Sequence, residues 1–96
     1  MIASPSLTNS PESVAGFRAY ARFVSVDAAR NRFRFYSVSW QPGLFGGGAL
    51  LRSWGRIGTK GRSREVCYQD RASAQPLVEQ IVRRRLQRGY QLVDAR

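Results

Sequence analysis

The chain has 96 residues and sets sixteen Lys and Arg against six Asp and Glu, a net charge of +10, with no histidine and one cysteine. A domain of this size holds one modest core, with roughly 65% of the unfolded surface removable from water. The missing histidine and the solitary Cys67 exclude an internal disulfide, a Cys/His zinc site and histidine-based acid–base catalysis, while a pI near 11.4 attracts polyanions.

Residues 1–16, MIASPSLTNSPESVAG, are rich in Ser, Pro and small side chains and read as a disordered tail. The first charged residue is Glu12 and the first basic one Arg18, so the pattern of a secretory signal is not expected. A single folded domain is expected over residues 17–96. From Phe17 to Val26 aromatic and β-branched residues alternate with polar ones, as in an amphipathic strand, and DAARN at 27–31 supplies a hairpin turn. The next strand, RFRFYSVSWQ at 32–41, changes phase: Phe33 and Phe35 have one parity, Tyr36, Val38 and Trp40 the other. A bulge or burial on both faces accounts for this.

PGLFGGG at 42–48 breaks the strand with one Pro and four Gly. A third strand is expected over Ala49 to Ile57, a turn over 58–61 and a fourth strand over 62–69, where Arg64, Val66 and Tyr68 share a face. A helix follows, with Ser73 as N-cap, Pro76 in its first turn and Gly89 as its stop. Leu77, Val78, Ile81, Val82 and Leu86 form its apolar stripe. The fold class is α+β: a twisted antiparallel sheet of about four or more strands with one helix packed on one face.

The six acids, Glu12, Asp27, Glu65, Asp70, Glu79 and Asp94, are scattered, and no spacing pairs two of them on one face. Cys67, mid-strand with no histidine partner, reads as a core cysteine rather than a nucleophile. No catalytic residue, metal ligand or cofactor is therefore expected. The glycines at 55, 58 and 61 lack the lysine spacing and following helix of a P-loop and read as turn residues. Arg83, Arg84, Arg85 and Arg88 read first as a solvated helix face, with a secondary phosphate contact as the functional option.

One stretch stands apart. In RSWGRIGTKGR, residues 52–62, a strand puts Arg52, Trp54 and Arg56 on one face, cation, indole, cation. A guanidinium suits a phosphate and a flat ring suits a sugar or base. Lys60, Arg62 and Arg64 add charge at and beyond the turn. A structural stack of Arg on Trp is the alternative.

With Trp54, Gly55 and Arg56 the chain resembles the WGR domain family. Asn31, Phe35-Tyr36, LFG at 44–46, RSWGRIG at 52–58, Gly61, the helix and Arg88-Gly89-Tyr90 stand in the family's order, over about residues 18–93. The resemblance implies a twisted antiparallel sheet with a helix against it. It is to the free-standing bacterial type and to the WGR domain of DNA-dependent poly(ADP-ribose) polymerases, where the motif Trp packs on sugar at a strand terminus and the motif Arg supports that contact. Those roles would fall here on Trp54 and Arg56, with Gly55 keeping the strand slim for backbone approach. The transferase domain of those polymerases has no counterpart within these residues.

The expected function is a non-catalytic DNA-binding module that prefers ends, nicks or junctions, with Trp54, Gly55, Arg56, Arg52, Lys60, Arg62 and Arg64 as its contacts. Phosphate backbone, including 5′-phosphorylated ends, is the expected ligand. A protein partner in DNA repair or processing, a docking role toward an acidic partner, and RNA binding are the alternatives. The setting expected is a reducing bacterial cytoplasm, with no membrane span.

Overall fold

The computed structural model describes residues 19–96, so the proposed tail and the start of the first strand lie outside the described residues. Five strands form one antiparallel sheet: β1 (Tyr20–Asp27), β2 (Arg32–Pro42), β3 (Gly48–Arg56), β4 (Arg62–Tyr68) and β5 (Gln91–Ala95), in the spatial order β4-β3-β2-β1-β5. The helix α1 (Arg71–Gln87) connects the two edges, leaving β4 and returning the chain to β5 beside β1. The α+β reading holds, with β5 as an added edge strand.

Side-chain alternation and strand register decide what the helix meets. Phe23 pairs with Tyr36, Ala21 with Val38, and Trp40 with Leu50, which puts one apolar set on a single face. Val78, Ile81 and Val82 of α1 close over it, forming the core with Ala21, Phe23, Tyr36, Val38, Leu50 and Tyr90. Burying each large side chain of this set contributes about 1.5–3 kcal/mol.

The phase change in β2 is burial on both faces. Its pairing with β1 and β3 runs in continuous register, with no bulge, and the adjacent Phe35 and Tyr36 are only 5% and 8% exposed. Tyr36 points into the helix-covered core. Phe35 points the other way, where the Arg22 guanidinium lies 4.7 Å from its ring centre and Gly55 and Gly61 cross it closely.

Three expectations are corrected. The N-cap of α1 is Asp70, whose carboxylate accepts hydrogen bonds from the Ser73 backbone N–H (2.7 Å) and hydroxyl (2.8 Å). Ser73 is therefore the partner of the cap. Cys67 is exposed, not a core cysteine, because its parity places it on the sheet face away from the helix. Pro76 lies in the second turn of α1 rather than the first, because the helix begins at Arg71. Trp54 is half-buried and packs against the core.

Candidate nucleic-acid interface

The site is built at the end of the sheet where β3 finishes and β2 begins. Arg34 pairs with Arg56, Tyr36 with Trp54 and Val38 with Arg52 across β2 and β3. On the other side of β3, Arg52 pairs with Arg64 and Trp54 with Arg62. All of these have the parity of the helix-covered face, so the predicted cation-indole-cation row is present. It lies at the helix margin rather than on the open face.

Local chemistry fixes each part. Trp54 stacks on Tyr36 with ring centroids 6.0 Å apart and planes 17° apart, an offset, nearly parallel pair that holds the indole by one face. Arg56 donates to the Asn31 side-chain oxygen (3.2 Å) and to its carbonyl (3.4 Å), and its guanidinium lies 5.2 Å from the centre of Phe33. Asn31 ends the 3₁₀ turn 28–30 in the left-handed region, φ 53°, a conformation asparagine tolerates better than most residues. The arginine is thereby tied to the β1–β2 turn. Gly55 faces the other way: a Cβ there would stand 2.7 Å from the Gly61 Cα, so the slimness of this residue is used by the chain itself, which folds back over β3.

The end of α1 brings in a further arginine. The Gly89 N–H donates to the Leu86 carbonyl and the Tyr90 N–H to the Arg85 carbonyl, while Gly89 takes φ +84°. That double closure is a Schellman motif. It sets Tyr90 against Arg85, whose guanidinium lies 4.5 Å from the Tyr36 ring centre and 5.1 Å from that of Tyr90.

Two grooves result, each of about 530 Å³, with Trp54 and Arg85 common to both. One is walled by Arg30, Arg32, Arg34 and Arg56 with Phe33 and Phe35, and its floor includes Gly55 and Tyr90. The other is walled by Arg52, Arg62 and Arg64 with Tyr36 and Ser63. No Asp or Glu lines either groove, so the cations face open space rather than local counter-charges. The Nε atoms of Arg52 and Arg85 are enclosed and have no hydrogen-bond partner.

Of the seven residues singled out in sequence, six line these grooves: Trp54, Gly55, Arg56, Arg52, Arg62 and Arg64. Lys60 lines neither and sits exposed in the β3–β4 turn. Arg30, Arg32, Arg34 and Tyr90 were not singled out as contacts, and Arg85 only as the functional option of the helical cluster. The helical cluster is divided by the fold: Arg83, Arg84 and Arg88 are exposed, and Arg85 alone turns inward. Among the described residues no group of three or more His, Cys, Asp or Glu converges as a metal site.

A WGR domain family profile matches residues 20–96. The chain belongs to the WGR domain family. Membership supports a nucleic-acid-binding module in general, in a domain of the small accessory kind. An uncharacterized protein of Sinorhizobium fredii, y4dW, is 42% identical over 65 residues, which is 68% of this chain and 32% of that protein. The chain thus matches about a third of that relative's length. A crystal structure of a protein from Bacteroides fragilis superposes with a TM-score of 0.64 at 17% identity, over 78% of this chain and 19% of that one, so the two share a similar fold over that stretch. Among the described residues no helix is long and apolar enough to cross a membrane.

Proposed function

We propose that this WGR domain is a non-catalytic DNA-binding module that recognises ends, nicks or junctions through the Trp54 strand face. The observation that carries the reading is the indole set between two arginine-walled grooves without a single acid. An exposed sugar or base meeting Trp54 gains about 1–3 kcal/mol of stacking. Phosphates, including a 5′-phosphate, are gripped by Arg52, Arg56, Arg62 and Arg64, whose planar forks hold two oxygens at once. Lys60 adds a peripheral contact. Among the described residues no helix carries an obvious Asn/Gln/Arg set for reading base edges, so sequence preference is not part of the reading.

Salt-dependent anisotropy titration of a labelled 5′-phosphorylated duplex tests it. Four neutralised phosphates give log affinity against log salt a slope of about −3.6. A slope near zero removes phosphate contact and with it this function. Docking of a protein partner in DNA repair or processing is favoured by a different feature: Leu44 and Phe45, 94% and 100% exposed, stand on the β2–β3 loop, at the opposite end of β3 from Arg56.

A further inference from the structure

The pairing of strands places like charges against each other twice, on either side of Trp54. Arg34 lies directly opposite Arg56, and Arg52 directly opposite Arg64. Like charges in directly opposed cross-strand positions destabilise a sheet, and this sheet carries two such pairs with no acid in either groove. Arg56 has its own anchorage on Asn31 and Phe33. Arg34 has no hydrogen-bond or ion-pair partner among the described residues and is exposed. Arg85 closes the same groove from the helix, its Nε enclosed and unpartnered.

We infer that Arg34, which the sequence pattern does not single out, is a phosphate-binding residue, and that the DNA backbone runs across β3 past both sides of Trp54. One phosphate sits between Arg52 and Arg64, and another at Arg34 and Arg56 beside Arg85. Residues 52 and 56 are four apart on one strand, so the two anion positions lie about 13 Å from each other, with the indole between them. Each phosphate neutralises a repulsive pair that the free protein must tolerate. The cost in the free sheet is thereby converted into affinity. This inference rests on the DNA-binding reading and adds to it a ligand whose backbone continues on both flanks of the stacked residue.

The test is R34Q, with R64Q as the matching variant for the other pair. Each removes one arginine of an opposed pair and leaves Trp54, Gly55 and Arg56 in place. For R34Q the expected result is a melting temperature equal to or above that of the wild type at low salt. It comes with a salt slope shallower by about 0.9 and affinity for a one-nucleotide-gapped duplex lower by about eightfold at 0.1 M salt. The wild type should also prefer the gapped duplex to a blunt one of equal length. Wild-type affinity and slope in R34Q would overturn the inference, as would a lowered melting temperature, which marks a structural arginine. Absence of salt-dependent binding by the wild-type protein would instead overturn the DNA-binding reading itself.

Discussion

Tyr36 and Trp54, directly opposite on β2 and β3, stack with ring centroids 6.0 Å apart and planes within 17°. The pair ties the buried core to the groove: Tyr36 is 8% exposed within the core, and Trp54 borders both arginine walls. The motif tryptophan is therefore both a packing residue and a ligand surface. Trp54→Ala should lower unfolding stability by about 2–3 kcal/mol, from lost burial and a lost aromatic pair. Trp54→Phe should cost about 1 kcal/mol or less while shrinking the exposed ring. Denaturant unfolding of both variants separates the two roles, and equal destabilisation would remove the stack from the account.

Glycine is required in this motif for a reason internal to the chain. A Cβ at Gly55 would meet the Gly61 Cα at 2.7 Å, and a Cβ at Gly61, where φ is +67°, would strike the Trp54 carbonyl oxygen. At Gly58, φ +94°, nothing stands within 4 Å. Gly55→Ala and Gly61→Ala should therefore destabilise by about 2 kcal/mol or more through clash, and Gly58→Ala by about 1 kcal/mol through backbone strain alone. Thermal melts of the three variants give the order directly. Gly58→Ala as the most damaging of them would contradict the packing.

Asp70 gives the fold a defined acid response. Its carboxylate pKa is held below the usual range, first by the Ser73 hydroxyl and then by the Ser73 backbone N–H. A depressed folded-state pKa means stability that is present above the ordinary carboxylate pKa and lost as pH falls through the lower folded value. Asp70→Ala should lower the melting temperature at neutral pH, and the gap from wild type should close as the pH is taken into the acid range. A gap that widens on acidification would reverse the sign and reject the cap.

Leu44 and Phe45 belong to the far end of the molecule. The Leu44→Ser, Phe45→Ser double variant should change stability by no more than about 0.5 kcal/mol, since both side chains are already exposed. Its DNA affinity and salt slope should match the wild type. A loss of DNA affinity would extend the contact surface to the β2–β3 loop.

Much of this was legible in residues 20–90. Strand parity placed Arg52, Trp54 and Arg56 together, and the turn glycines and helical stripe marked the connections. The rest depended on pairing that a single sequence does not display. Five-residue β5 carries little pattern of its own and exists through its ladder with β1. Phe35 and Tyr36 defeated the alternation rule because Gly55 and Gly61 bring backbone over the face that would otherwise be open. Arg34 and Arg85 became site residues through strand register and helix termination. In the chain Arg34 looks like an ordinary surface charge, and Arg85 is one of four helical arginines until the end of the helix turns it inward.

The central claim is that Trp54 reads a discontinuity in DNA. It is tested most directly by competition between a 5′-phosphorylated open duplex and a covalently closed dumbbell of the same sequence, each displacing a labelled open duplex at 0.1 M salt. The account predicts that the open duplex competes at clearly lower concentration, and that Trp54→Phe narrows the difference. Equal competition by the two would leave the arginine grooves as backbone binders only and contradict end recognition.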